Sequence, residues 1–177
     1  MSTQSAAGAH ELPLTPGVEI AEQPITYRGT VCLWQCDHMG HMSVMWYTAK
    51  FNDATWELVS SLGLTRERLA SQQIGMAAVE QHIKYKRELH AGDCITVRSA
   101  VLDVKDKSAT ITHEMTNDST GEVAATTIIV GVHFDLLTRK PLPIPADMRE
   151  RALRMMEGNR GVTSGRVIEM LVNNTPR

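Results

Sequence analysis

The stretch Asp37-His38-Met39-Gly40-His41-Met42-Ser43-Val44-Met45-Trp46-Tyr47 separates two periodicities. On its N-terminal side Ile25, Tyr27, Val31 and Leu33 stand at even spacings, the period of two that lines one face of a strand, and Gly29 breaks the pattern. On its C-terminal side Val44, Tyr47, Phe51, Ala54, Leu58 and Leu62 recur at three-and-four spacing, which predicts a five-turn helix with one apolar stripe. Ser43 is placed to cap that helix and Gly63 to end it. Gly40 is the turn between them. A strand over 25–33 therefore reverses near Gly40 and feeds a helix whose stripe needs a sheet to lie on.

Outward from this junction the chain supplies that sheet. A short helix fits 65–72, with Thr65 as its cap, and strands follow over 76–88, 95–104, 109–116 and 122–134. Their turns fall at Ala91-Gly92-Asp93, Asp106-Lys107 and 117–121. Alternation is cleanest in 109–116, where Ala109, Ile111, His113 and Met115 oppose Thr110, Thr112, Glu114 and Thr116 as in a half-buried antiparallel strand. The last strand is apolar on both faces from Val123 to Val132, so both faces require cover. Pro141, Pro143 and Pro145 lead into a short helix over 146–156. Residues 1–23, rich in Ala, Ser, Pro and Gly, read as a flexible arm, 24–157 as the folded domain and 158–177 as a tail. The class is α+β, one long helix against a single five-stranded antiparallel sheet.

Composition limits what such a domain does. The 177 residues are 42% apolar and 21% charged, enough to bury a core. Eighteen basic against twenty acidic side chains leave a net charge of −2, which argues against a nucleic-acid partner. No run approaches the roughly 18 apolar residues of a membrane span. The opening MSTQSAAGAHELPLTPG has no basic segment followed by an apolar one, so a cytoplasmic protein is expected. Cys32, Cys36 and Cys94 fit neither a zinc ribbon nor a redox pair and read as reduced thiols. A thiolate at Cys36, beside Asp37 and with His38 as its base, is weighed against a small semi-buried hydrophobe, and the second reading is taken.

The segment from Asp37 to Tyr47, followed by Phe51 and Ala54, resembles the acyl-CoA thioesterases of the hotdog fold, the 4-hydroxybenzoyl-CoA thioesterase-like group. In that group an Asp ends the first strand, a Gly follows three residues later and a Tyr ten residues later, and Asp37, Gly40 and Tyr47 match. The resemblance extends over 25–134. It implies a sheet wrapped around one long central helix and hydrolysis of an acyl-CoA to the free acid and CoA without a cofactor. It further implies a homodimer or a tetramer built as a dimer of dimers. The family's oxyanion donor, a backbone N–H seven residues after the Asp, falls on Val44. Gln35 departs from the acidic residue many relatives carry there, and His38, Met39 and His41 replace small or apolar ones.

Elementary chemistry agrees with those roles. Thioester hydrolysis needs a carboxylate to activate water or attack the carbonyl, which Asp37 offers, and donors for the oxyanion, which a helix N-terminus supplies. His41 is read either as orienting the thioester or water or as a hydrogen-bonded wall of the pocket. Lys84, Lys86 and Arg87 suit the phosphates of CoA, or alternatively protect a sheet edge. Trp46 and Tyr47, with Trp34, suit a compact acyl group, even a quaternary ammonium of betainyl type, unless they serve ordinary packing. Lys50, Asp53 and Glu57 read as a solvated helix face, with Glu57 a reserve carboxylate. Asp37, His38 and His41 lack a third histidine nearby in sequence, so no metal is expected. His82, His90, His113 and His133 receive no role. Two other functions stand beside hydrolysis: a hotdog dehydratase or hydratase using His41 with Glu57, and an acyl-CoA-binding module without catalysis.

Overall fold

The computed structural model describes residues 23–158. Strand β1 (Ile25–Thr30) leads through a single 3-10 turn (Leu33–Gln35) to α1 (Val44–Ser61). A short α2 (Arg66–Gln72) precedes the long strands β2 (Ile74–Tyr85), β3 (Cys94–Val104), β4 (Ser108–Asn117) and β5 (Val123–Asp135), and α3 (Ala146–Gly158) closes the fold. The five strands form one antiparallel sheet in the order β1-β3-β4-β5-β2. One main helix against one such sheet is the hotdog arrangement. The arm over 1–22 and the tail over 159–177 lie outside the described residues.

Tyr47, Phe51, Ala54, Leu58 and Leu62 are buried as the stripe requires. Val44 is not part of it: at the first turn its side chain is 60% exposed. Lys50, expected on the solvated face, is instead 3% exposed, donates to the Tyr27 hydroxyl at 3.2 Å and lies 5.3 Å from that ring. Its aliphatic stem crosses apolar surface while its ammonium meets an oxygen and a π face. Asp53 and Glu57 do stay exposed.

The first strand is shorter than its periodicity implied. Gln35 accepts from the Cys32 N–H at 2.9 Å and the Cys36 N–H reaches the Leu33 carbonyl at 3.1 Å, which curls the chain into the 3-10 turn and leaves Leu33 79% exposed. A register shift between Ile25 and Tyr27 also reverses the alternation, so Thr26 is buried and Ile25 is not. On β5, Ile129 and Gly131 face α1. Ile128 and Thr126 are nonetheless buried on the outer face, where His82 and Lys84 flank them from β2 and Thr112 and Glu114 from β4.

The core has two clusters. One gathers Val31, Met42, Tyr47, Phe51, Ala54, Leu89, Ile95, Val97 and Met115 around the first half of α1. The other gathers Leu58, Val59, Leu62, Ile111, Ile129, Ile144, Met148 and Ala152 around the second half and α3. Between them runs a polar chain. Thr26 Oγ1 meets Ser99 Oγ at 2.5 Å, Ser99 Oγ meets His113 Nδ1 at 2.5 Å, and His113 Nε2 meets Thr55 Oγ1 at 2.9 Å. Because the Thr55 hydroxyl donates to the Phe51 carbonyl at 2.8 Å, Nε2 is the donor to it and Nδ1 accepts from Ser99. Burial lowers the His113 pKa to about 3, so the ring is neutral.

Candidate active site

Asp37 begins the reversal that Gly40 completes. The Gly40 N–H reaches the Asp37 carbonyl at 3.0 Å, and Gly40 takes φ +85°, a conformation L side chains rarely adopt. The Asp37 N–H then meets the His41 carbonyl at 2.9 Å. The Met39 N–H donates to Asp37 Oδ1 at 2.8 Å, which fixes the carboxyl and leaves Oδ2 for a water or a substrate. Past the turn, the Met42 N–H bonds the Leu89 carbonyl and the Ser43 N–H bonds the Gln35 carbonyl, so the entry to α1 is tied to two other segments.

Ser43 occupies the cap position of α1 but makes no side-chain capping bond. The first N–H groups of a helix have no acceptor within it, and here the usual hydroxyl does not take one up. Uncapped donors and the positive end of the helix dipole therefore stand at Val44, favourable for developing negative charge.

These groups share one cleft of about 520 Å³, lined by Asp37, Met39, His41, Met42, Val44, Tyr47, Tyr85, Lys86, Arg87 and Glu88. Tyr47 and Tyr85 meet edge to face at 5.2 Å. The Tyr47 hydroxyl donates to the Arg87 carbonyl at 3.3 Å, and burial pushes its pKa up to about 12, so it remains a donor at neutral pH. His41 Nε2 lies 3.2 Å from Glu88 Oε2. Arg87 is partly spent, with Nε on Glu122 at 3.2 Å and one terminal nitrogen on the Lys86 carbonyl at 2.8 Å.

A family model for the thioesterase-like superfamily matches residues 31–152. The chain belongs to this superfamily. Among curated relatives of this thioesterase-like chain, an L-carnitine dehydrogenase/betainyl-CoA thioesterase of Agrobacterium fabrum is 30% identical over 109 residues, covering 62% of this chain but only 22% of that longer protein. The long-chain acyl-CoA thioesterase FadM of Escherichia coli is 23% identical over 124 residues, 70% of this chain and 93% of its own. Among solved structures, the Staphylococcus aureus protein SAV2348, in complex with CoA, has the same fold at a TM-score of 0.72 and 22% identity, over 76% of this chain and 85% of that one.

Of the residues read from sequence, the thioesterase-like fold brings Asp37, His41, Val44, Tyr47, Lys86 and Arg87 to one cleft, with Gly40 shaping its turn. It leaves Lys84 and Trp46 outside the lining. Lys84 pairs across the sheet with Thr126, on the face opposite Ile83, which packs into the core. Trp46 packs against the first core cluster and meets Trp34 edge to face at 4.7 Å. Glu57 follows Val44 by thirteen helical positions, about 20 Å along the axis, too far to move protons at adjacent acyl carbons together with His41. The sequence reading missed Tyr85, Glu88 and His90. The signal was the buried Leu89 between Glu88 and His90, an alternation that sends both flanking residues to one side.

Proposed function

We propose that this chain hydrolyses an acyl-CoA thioester to the free acid and CoA. The observation that carries the reading is Asp37 and the uncapped N-terminus of α1 on one cleft. Asp37 Oδ2 either draws a proton from water or attacks the carbonyl carbon, while the Val44 N–H meets the oxyanion. His41 orients the thioester or the water. Lys86 and the unspent part of Arg87 meet CoA phosphates at the rim.

The curated relatives carry names for two different acyl groups, betainyl and long-chain. The cleft's Tyr47 and Tyr85 favour a compact group, including a quaternary ammonium against a ring face, a contact worth about 0.5–2 kcal/mol. In this role Tyr47 and Tyr85 replace Trp34 and Trp46. The β2 edge supports a homodimer: among the described residues β2 pairs with β5 alone and exposes Val79, so a second copy can continue the sheet. Among the described residues no helix is long and apolar enough to cross a membrane, and we place the chain in the cytoplasm with its thiols reduced.

The test is incubation of the pure protein with a panel of acyl-CoAs and a thiol reagent. Release of free CoA, fastest for compact acyl groups, is expected. An enoyl or hydroxyacyl product would overturn hydrolysis in favour of hydration chemistry, and binding without turnover would make the chain a sensor. Light scattering at micromolar concentration checks the dimer, which a monomer refutes.

A further inference from the structure

We propose that His41, Glu88 and His90 form a binding site for a divalent ion of the zinc class at the mouth of the Asp37 cleft. The sequence offered no third histidine near His41, but the fold supplies one from 49 positions away. His41 and His90 form an isolated antiparallel bridge, and Met42 N–H bonds the Leu89 carbonyl at 2.7 Å beside it. Met42 and Leu89 both turn into the first core cluster, so His41 on one segment and Glu88 and His90 on the other turn away from it together. Two buried apolar anchors thus aim three donors at one point.

The distances suit coordination. One ligand atom from each residue lies within 4.8 Å of the other two, and His41 Nε2 is 3.2 Å from Glu88 Oε2. Bonds of about 2.0–2.1 Å in a tetrahedral site put ligand atoms about 3.3 Å apart, so a small side-chain rotation of His90 closes the set. The rings of His41 and His90 stand perpendicular with centroids 5.3 Å apart, which lets both nitrogens face a common centre. His90 also has an outer carboxylate. Asp93 Oδ2 accepts its backbone N–H at 2.8 Å and lies 4.0 Å from Nδ1, leaving Nε2 for an ion. Two imidazoles and one carboxylate select zinc, cobalt or nickel over magnesium or calcium, which prefer oxygen ligands.

The experiment is calorimetric titration of the untagged full-length chain with zinc and, separately, magnesium, together with the cobalt spectrum. One zinc per chain at micromolar affinity is expected, with no heat from magnesium, and His90→Ala weakens zinc binding at least ~10-fold. His90 is exposed, so far-UV circular dichroism should show that variant folded. Cobalt should give ligand-field bands without an intense thiolate band. Absence of stoichiometric zinc binding, affinity unchanged by His90→Ala, or a thiolate band pointing to the cysteines would each overturn the site.

Discussion

The two halves of α1 pack against different cores, and only one of them borders chemistry. Tyr47, Phe51 and Ala54 lie in a cluster whose small members, Ala54, Ala124 and Ala125, have no exposed surface. Leu58, Val59 and Leu62 lie in a cluster that borders a partly open cavity of about 120 Å³, lined by Val59 and Leu62 together with Trp56, Met76, Ile144 and Ala152. The tight half fixes the Asp37 turn through backbone bonds to Leu89 and Gln35. The loose half has no such turn to hold. A site that needs a carboxyl and a helix terminus at set positions is built beside the tightly packed half, and the cavity among the core side chains lies along the second half of α1, from Asn52 onward.

The strongest way to break this comparison is to remove chemistry without touching packing. Asp37→Asn should lower kcat for the best acyl-CoA by ~100-fold or more. Asp37 is exposed, and the Asn side-chain oxygen still accepts from the Met39 N–H, so the thermal midpoint should hardly move. A variant retaining more than about half of the kcat would remove Asp37 from the chemistry. A large fall in midpoint would mean the turn depends on the charge.

What could be read in the sequence divides along the same physical line. The α1 stripe was legible because each of its members is set by local periodicity, and the Asp37–Gly40 turn because a positive φ favours glycine. Lys50 was misread because periodicity grades a residue by its type and cannot see Tyr27 arriving from β1. The inward place of Ile25 was lost to a one-residue irregularity before Tyr27, which turns Thr26 inward in its stead and leaves Tyr27 and Val31 on the core side. Lys84 was grouped with Lys86 and Arg87 by charge, but the regular strand holds Lys84 on the outer face, and Lys86 reaches the cleft only past Tyr85, where its N–H and that of Arg87 both meet the Ala124 carbonyl and alternation breaks. Glu88 and His90 were invisible as partners of His41, since only the long-range bridge brings them together.

A second break comes from acid, and acts at the boundary between the two halves. His113 stacks on Phe51 at 6.0 Å and bonds Thr55, the residue that also lines the cavity. Its pKa is about 3 in the folded chain against an ordinary 6.5, so between these values the unfolded chain binds a proton that the native one refuses. That contribution to stability is fully present above 6.5 and is lost as pH falls toward 3. Lowering the pH from 6.5 to 5 should cost about 2 kcal/mol through this ring alone. The check is urea unfolding at both pH values for the wild type and His113→Leu. Other groups titrate alike in both proteins, so the variant should show the smaller loss, and equal losses would mean His113 is protonated without cost.

The smallest effects sharpen the comparison most, because one substitution should have opposite signs in the two halves. Leucine at Ala152 places its added carbons toward the partly open cavity from α3, and leucine is a good helix former, so the helix backbone does not oppose it. The gain should be at most about 1 kcal/mol, because the new side chain fills only part of the space and loses rotamer freedom. That corresponds to a rise in thermal midpoint of about 2–4 °C. The same leucine at Ala54, in the middle of α1, meets a cluster with no matching void and should cost about 1–3 kcal/mol through displaced neighbours. Ala54 also lies nearly three helical turns from the start of α1, one turn past Phe51, so its displaced neighbours include Phe51 and, through it, the helix entry. Ala54→Leu should therefore lower kcat as well as stability, whereas Ala152→Leu should leave kcat unchanged. If both variants were stabilised, or both destabilised alike, the two halves would be equally packed and the site's placement would owe nothing to the tighter one.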